Sequence, residues 1–170
     1  LQPAESTSFQ DDFFDLVIVG QAVHWFQFDA FYAEVKRTAK EGALLALIGY
    51  GNLQINKDVD AVIHQLYETI LGPYWDAERR YVDEAYQTLP FPFEEIEAPQ
   101  FDNTYQWTLE HLVGYLNTWS AVKHYTQQNG HNPLDLIYKN LQHAWGSNKT
   151  LSVQFPLLLR IGRITKTSFS

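Results

Sequence analysis

Residues 16–26 read LVIVGQAVHWF, and this stretch decides the fold class. It starts within the β-branched run 15–20, which has acidic residues before it and Gly20 at its end. A short apolar run of this kind is typical of a β-strand that is buried on both faces. Glutamine, histidine and tryptophan follow, although a strand that continued in a buried sheet would remain apolar. We therefore predict a central strand over 15–20 that ends in a functional loop.

The residues that follow extend this strand into a βαβ unit. Apolar residues at helical spacing predict an amphipathic helix, with Phe28, Phe31, Tyr32, Val35 and Ala39 on one side. Gly42 suits the position that follows a helix C-terminus. Residues 43–48 are apolar on every side and predict a second buried strand, which leads into a loop at 49–51. The two strands should be parallel and joined by a right-handed crossover.

Downstream, the pattern predicts helices followed by one long strand. Helices are expected from near Asn56 to Gly72, over 76–87, from Thr108 with a break near 118–120, and from Pro133 through Trp145. Residues 94–107 read as extended. Strict alternation over 151–161 predicts a single strand, in which Pro156 marks an edge or a bulge.

The amino-acid composition limits the chemistry available to the chain and bears on its cellular compartment. The 170 residues are 45% hydrophobic and 15% aromatic, which is ample for a packed domain. Cysteine is absent, and this excludes disulfides, thiolate catalysis and cysteine-rich zinc sites. Nothing in the composition needs an oxidising environment, so we expect a cytoplasmic protein.

Charge and motif content exclude several partners. A formal charge of −8 with only 12 lysines and arginines argues against a nucleic-acid partner. No apolar run approaches the ~20 residues that span a bilayer, so no membrane partner is expected. The six histidines include no HxxxH pair and the chain has no GxSxG motif, so we expect neither a metal site nor covalent catalysis.

A parallel two-stranded unit cannot form a complete sheet, because parallel strands need neighbours and cover on both faces. Residues 1–14 are loop-like and offer no strand to pair with 15–20. Either a second copy supplies the missing strands, or the chain is the C-terminal part of a larger α/β domain, which is the more economical explanation. The chain also begins without methionine, so we expect that it has been trimmed or cleaved upstream.

Two segments carry a family resemblance. Residues 11–26, DDFFDLVIVGQAVHWF, and 28–51, FDAFYAEVKRTAKEGALLALIGYG, resemble the second half of a class I S-adenosylmethionine-dependent methyltransferase. Weaker similarity continues through GPYW, ERRYVDEAY, LPFPFEEI, TWSAV and LLLRIGR, and it points to the small-molecule branch near the trans-aconitate methyltransferase type. The family's glycine-rich turn after its first strand and its acidic residue at the end of its second strand have no counterpart here. We therefore expect the isolated chain to be inactive.

The resemblance implies a fold class and a division of the chain. The fold would be α/β, the C-terminal part of a Rossmann-like sheet with an added helical substrate cap. Residues 1–52 would form the second half of the cofactor-binding core, and 53–93 with 108–146 the helical cap. Residues 94–107 and 147–166 would supply C-terminal strands that complete the sheet.

The loop after the first strand is the candidate site. Ligands of open α/β sheets bind beyond the carboxyl ends of the strands. Gly20 lets the backbone approach a ligand, Gln21 offers a donor and an acceptor, and His24 can exchange a proton.

The resemblance implies more specific roles for residues around this loop. Ala4 and Glu5 would contact the adenine of S-adenosylmethionine, Gln21 and Ala22 would line its methionine end, and His24 and Trp25 would face the methyl-transfer site or wedge the following helix. Gly20 and Trp25 complete the cofactor-binding set, and His24 is the candidate catalytic base. The alternative is that His24 caps backbone groups, Trp25 packs in the core and Glu5 is a surface acid.

An aromatic group supplies the candidates for binding a methyl acceptor in a dry pocket. Its nine members are Tyr74, Trp75, Tyr81, Tyr86, Phe91, Phe93, Trp107, Trp119 and Tyr125, and we expect most of them to be core. Trp75, Trp119, Tyr125 and, at the end of the second strand, Tyr50 are the expected substrate contacts. Arg79 and Arg80 could clamp a carboxylate or lie solvated beside acidic neighbours.

Three functions remain open from the sequence. The first is methyl transfer from S-adenosylmethionine to a small-molecule acceptor. The second is a non-catalytic fragment or interaction module, in which two copies form a homodimer through exposed strand edges. A nucleotide-dependent oxidoreductase ranks third, because the sequence contains no dinucleotide-binding fingerprint.

Overall fold

The computed structural model describes residues 1–166, and these form two compact units. Of the described residues, the first unit comprises 1–51, 80–101 and 156–166, and the second comprises 52–79 and 102–155. The strands are β1 (Phe14–Gly20), β2 (Ala39–Tyr50), β3 (Glu94–Ile96), β4 (Thr104–Trp107), β5 (Leu151–Gln154) and β6 (Leu157–Arg163). The helices are α1 (Phe28–Thr38), α2 (Lys57–His64), α3 (Arg80–Asp83), α4 (Leu109–Leu116), α5 (Ser120–Asn129) and α6 (Leu134–Trp145).

The first unit is a four-stranded sheet with the order β1-β2-β6-β3. β1 and β2 are parallel and are joined through α1, which confirms the predicted βαβ unit and the α/β fold class. β6 runs antiparallel to both β2 and β3. Phe31 and Val35 of α1 are buried against this sheet together with Leu45 and Leu47 of β2.

The prediction that strand 15–20 is central and buried on both faces is wrong for this chain. β1 lies at one edge of the sheet, where Leu16 is 47% exposed and Ile18 is 58% exposed. Among residues 1–166, β1 has a ladder partner on its β2 side only, and its opposite edge stays open.

The prediction that Gly42 follows the helix C-terminus is also wrong. α1 ends at Thr38, whose hydroxyl donates to the Glu34 carbonyl at 2.8 Å, and β2 begins with the next residue. Gly42 lies inside β2 with φ of 78°, where only glycine is unstrained. The β1–β2 register shifts beside it, so Gly42 accommodates an irregularity in the ladder.

The alternating run 151–161 forms two strands that belong to different sheets. β5 pairs with β4 in the second unit, whereas β6 pairs with β2 and β3 in the first. Pro156 lies between them and has no N–H to donate to a ladder, which explains why the strand is interrupted there. Residues 94–107 and 147–166 were expected to complete the main sheet. Of the strands in these segments, β3 and β6 join that sheet, whereas β4 and β5 pair with each other.

In the second unit, the predicted helix start near Asn56 and the predicted cap at Thr108 are confirmed. The Asn56 side chain accepts hydrogen bonds from the backbone N–H groups of Asp58 and Val59, at 3.1 and 3.0 Å. The Thr108 hydroxyl accepts from the His111 backbone N–H at the start of α4. The predicted break near 118–120 is confirmed, because α4 ends at Leu116 and α5 begins at Ser120.

The predicted helix over 76–87 is much shorter than expected. A single 3₁₀ turn, Ala77–Arg79, precedes the four-residue α3. The helix ends because Ala85 and Tyr86 adopt positive φ angles of 52° and 61°. Among residues 1–166, no helix is long and apolar enough to cross a bilayer.

Candidate functional site

The carboxyl ends of β1 and β2 are joined by one side chain, that of Gln21. Its backbone N–H donates to the Ile48 carbonyl at 2.7 Å and continues the ladder by one residue. Its side-chain Oε1 accepts from the Tyr50 N–H at 2.9 Å, and Nε2 donates to the Tyr50 carbonyl at 3.4 Å. Gln21 holds a positive φ of 50°, so this pairing compensates for a strained backbone. Tyr50, a predicted substrate contact, therefore has its backbone fixed by a predicted cofactor residue.

His24 and Trp25 are adjacent in sequence but differ in exposure. A 3₁₀ turn, Val23–Trp25, follows Gln21 and buries His24 to 6% exposure. Trp25 is 54% exposed, which contradicts the alternative that its indole packs in the core, and its ring centroid lies 5.0 Å from that of His24. The N-cap residue of this turn, Ala22, makes no side-chain capping hydrogen bond, and the alternative that the His24 imidazole caps backbone groups stays a prediction.

One buried partner of His24 is Tyr86, which is 0% exposed. The Tyr86 hydroxyl lies 3.4 Å from His24 Nδ1, and the two ring centroids are 6.1 Å apart. From the sequence, Tyr86 was only one of nine aromatic residues expected mostly in the core. Nothing in its spacing indicates this contact, because His24 lies 62 residues earlier in the chain.

A groove runs along β1 and α1, and three predicted cofactor residues line it. We call it the β1 groove; its volume is about 440 Å³, within the range of ligand pockets. The predicted residues in its wall are Ala4, Gly20 and Ala22, with Leu16, Ile18, Phe31, Val35, Thr7 and Glu34 among the rest. A Cβ placed on Gly20 would meet no atom within 4 Å, so the strand end faces open space.

The segment before β1 is tied to α1 by charged groups. The Thr7 N–H and hydroxyl donate to Glu34 Oε1 at 2.8 and 2.6 Å, and Arg37 donates to both Glu34 oxygens. Hydrogen bonds from Arg37 and then from Thr7 outweigh desolvation and lower the pKa of Glu34 to about 2. Glu5, predicted for adenine contact, accepts from the Gln27 N–H at 3.1 Å at the start of α1.

In the second unit, Trp75 and Trp119 lie together around an arginine. Their ring centroids are 5.5 Å apart, and Trp119 is 7% exposed. The Arg79 guanidinium lies 5.0 Å from the centroid of the Trp75 ring, and it donates to the Tyr67 hydroxyl at 3.0 Å and to Asn52 Oδ1 at 2.7 Å. This group, Tyr67, Trp75, Arg79 and Trp119, is the arginine–aromatic cluster.

The remaining predicted substrate residues lie elsewhere. Tyr125 packs on Tyr74, with ring centroids 4.9 Å apart, and its hydroxyl lies 3.3 Å from His131 Nε2. Arg80 is exposed, belongs to the first unit and packs over the ring of Tyr81. Within residues 1–166, no group of three histidine, aspartate or glutamate side chains is arranged to hold a metal ion.

Comparisons with known proteins bear on the family and the fold of the chain. Residues 1–47 match the family described as a methyltransferase domain. A solved structure from Anaeromyxobacter dehalogenans, assigned as a type II methyltransferase, superposes with a TM-score of 0.87 and 41% identity, over 98% of this chain and 71% of the other. The chain belongs to the class I S-adenosylmethionine-dependent methyltransferase family. The predicted family is thereby confirmed.

A curated relative shows how much of such a protein this chain represents. A Dictyostelium discoideum protein assigned as a methyltransferase is 30% identical over 170 residues. The match covers 96% of this chain and 65% of the relative. The chain thus spans about two thirds of the length of that relative.

Proposed function

We propose that this chain takes part in methyl transfer from S-adenosylmethionine to a small-molecule acceptor. The observation that carries the proposal is the end of β1, where Gly20 and Ala22 open onto the β1 groove in the segment that matches the methyltransferase domain. This is the position at which open α/β sheets bind ligands. We also propose a cytoplasmic location, since the chain has no cysteine that an oxidising compartment would pair.

The residues at the strand end fit the cofactor. Ala4 and Ala22 offer small apolar walls, and Gly20 leaves room for a ligand to approach the backbone. Glu5 and the exposed Trp25 would flank the same end, and Gln21 would hold the two strand ends in place through Tyr50. When bound, the cofactor supplies a methyl group on a sulfonium, which is already a reactive donor.

The chemical demand on the protein is mainly orientation. Holding two reactants in line accounts for a large part of the barrier reduction in group transfer, so the chain must fix the loop after β1 and exclude water. His24 would act as a base for a hydroxyl acceptor, and it would not be needed for a carboxylate, which is ionised at neutral pH. The burial of His24 suits a base that acts in a site from which water is excluded.

The arginine–aromatic cluster is the proposed acceptor-binding element of the second unit. Trp75 and Trp119 offer flat apolar surface, and the Arg79 guanidinium over Trp75 offers a positive charge. These features suit a small acceptor with an apolar body and an anionic group. Tyr125 of the same unit is proposed as a further contact, and Tyr50 is proposed separately as a contact at the end of β2.

Calorimetric titration of S-adenosylhomocysteine tests the cofactor half of the proposal. The titration would use the 170-residue chain and a chimera that adds, at its N-terminus, the residues that precede the matched region in the Anaeromyxobacter relative. Gly20→Val should abolish binding in whichever protein binds, because the side chain would enter the β1 groove. Gly72→Val is the matched control, since a Cβ there also meets nothing within 4 Å and it lies in the second unit.

The acceptor half is tested by transfer of a radiolabelled methyl group to a panel of small carboxylic acids and phenols. Trp75→Leu should reduce transfer, and the conservative Trp75→Phe should reduce it less. Absence of cofactor binding by both proteins, or binding that Gly20→Val leaves unchanged, would contradict the proposal.

A second candidate function is self-association through β1. Leu16 and Ile18 are 47% and 58% exposed on an edge strand, a combination that favours pairing with another chain. Sedimentation velocity at increasing concentration should then show a dimer that Ile18→Lys removes. A monomer at every concentration would exclude this function.

A further inference from the structure

We propose that Tyr86 is a positioning residue of the site, and that its hydroxyl fixes the ring orientation and tautomer of His24. The inference rests on the proposed function, in which His24 adjoins the reacting groups. It adds a residue from a segment 62 positions away that the sequence patterns did not connect to the site. Four features of the first unit lead to it.

The first feature is the backbone that carries Tyr86. Ala85 and Tyr86 have φ angles of 52° and 61°, a conformation that non-glycine residues rarely adopt. Two consecutive strained residues persist only where the surroundings hold them in place. The Tyr86 N–H donates to the Tyr81 carbonyl at 2.7 Å, which closes the turn beyond α3.

The second feature is an anchor for this turn on β6. Arg160 Nη1 donates to the carbonyls of Tyr86 and Leu89, at 2.7 and 2.9 Å. The same guanidinium binds Glu95 through Nε and Nη2, at 2.6 and 2.9 Å. A bidentate ion pair has a defined geometry, so Arg160 holds the strained turn in one place on the sheet.

The third feature is the close fit between Tyr86 and the end of β2. A Cβ on Gly49 would lie 2.7 Å from Tyr86 Cε2, 2.9 Å from its hydroxyl oxygen and 2.8 Å from Gln21 Oε1. Glycine at position 49 therefore lets the ring and the Gln21 amide approach the strand end together. The Tyr86 ring is thus placed among the residues that form the candidate site.

The fourth feature is the hydroxyl itself. Tyr86 is 0% exposed, and a buried phenol needs a hydrogen-bond partner. His24 Nδ1 lies 3.4 Å away, at the long end of the hydrogen-bonding range, and such bonds at catalytic sites tighten when ligands bind. Because the hydroxyl lies within hydrogen-bonding reach of Nδ1, it can set which nitrogen of His24 carries the proton.

The test is ¹⁵N NMR of the histidine rings in the wild-type chain, Tyr86→Phe and Tyr32→Phe. Tyr32→Phe is the matched control, because Tyr32 is 4% exposed and its hydroxyl donates to the Pro90 carbonyl. His24→Asn identifies the His24 signals. We expect Tyr86→Phe to change the Nδ1 chemical shift of His24 and to move its titration midpoint by about half a pH unit or more. Tyr32→Phe should leave both unchanged.

Unchanged His24 signals in a folded Tyr86→Phe protein would overturn the proposal. If that variant does not fold, the wild-type spectrum decides: one dominant His24 tautomer supports the proposal, and an equal mixture of the two overturns it. These readouts need no bound cofactor. A chain that fails to bind S-adenosylhomocysteine but shows the expected His24 shifts would therefore separate failure of the proposed function from failure of this inference.

Discussion

β1 and β2 are parallel neighbours with almost interchangeable apolar runs, and yet they differ sharply in burial. Residues 16–19 read LVIV and residues 44–48 read LLALI. On the face that carries Leu16 and Ile18, which are 47% and 58% exposed, the β2 residue paired with Ile18 is Ala46, and it is 8% exposed. The difference lies in the neighbours: β2 has β1 on one side and β6 on the other, and β1 has β2 alone among residues 1–166.

The contrast shows that an apolar run in the sequence indicates a strand suited to burial, but it does not indicate which elements of the fold bury that strand. Side chains of β2 pack against α1 on one face. The β2 backbone pairs with β1 at one edge and with β6 at the other. The same residue types in β1 leave apolar surface in contact with solvent, which is a common property of interaction surfaces. Three substitutions or pairs of substitutions can break or sharpen this comparison.

The largest expected effect comes from one truncation in each of the two strands. Leu47→Ala should lower the free energy of unfolding by about 2–5 kcal/mol, because it leaves a cavity in a close-packed core. Ile18→Ala should lower it by less than about 1 kcal/mol, since more than half of that side chain is already exposed. Urea denaturation, with the slope checked for constancy, measures both.

Equal losses for the two variants would break the comparison. They would mean that β1 is as deeply buried in solution as β2, as it would be if another chain covered its open edge. Measuring Ile18→Ala at two protein concentrations distinguishes the cases, because only burial by another chain makes the loss depend on concentration.

A smaller effect should appear at the carboxyl ends of the strands. Gly49→Ala should destabilise the protein by about 1–3 kcal/mol, because the methyl group would overlap the Tyr86 ring and the Gln21 amide. Gly51→Ala is the matched control and should change stability by less than about 0.5 kcal/mol, since its nearest contact would be 3.9 Å away. Thermal or urea unfolding of both variants measures the difference.

A double substitution sharpens this result. If the loss in Gly49→Ala arises from Tyr86, then in a Tyr86→Ala background Gly49→Ala should cost much less than it does alone. If Gly49→Ala lowers the free energy of unfolding equally in both backgrounds, the strain arises elsewhere in the strand.

Local features were predictable from the sequence, and features set by distant residues were not. The βαβ unit and the caps at Asn56 and Thr108 depend on residues close in the chain, so their patterns were informative. The loop after β1 was located because glutamine and histidine interrupt an apolar run, and its role in binding stays a prediction. By contrast, the role of Tyr86 depends on Arg160 and His24, which are 74 and 62 residues away. The edge position of β1 likewise depends on which strands are present beside it.

The smallest expected effect concerns α1, the helix that joins the two strands. Glu34 holds the segment around Thr7, which lines the β1 groove, through hydrogen bonds from the Thr7 N–H and hydroxyl. The pKa of Glu34 is lowered to about 2 in the folded protein, chiefly by the hydrogen bond from Arg37. A carboxyl with a lowered pKa binds fewer protons when folded than when unfolded, so its stabilising contribution is complete above its unfolded pKa.

This contribution should disappear as the pH falls from 4.5, the unfolded pKa of Glu34, toward about 2. Glu34→Gln should therefore be modestly less stable than the wild-type chain at pH 7, and the difference should narrow steadily below pH 4.5. Urea denaturation at a series of pH values measures it, with Glu97→Gln, an exposed position of the same unit, controlling for the loss of one negative charge. A difference that stayed constant down to pH 3 would mean that the carboxylate charge of Glu34 does not hold the Thr7 segment. In that case, the position of the segment around Thr7 would depend on packing alone, as the core around β2 does.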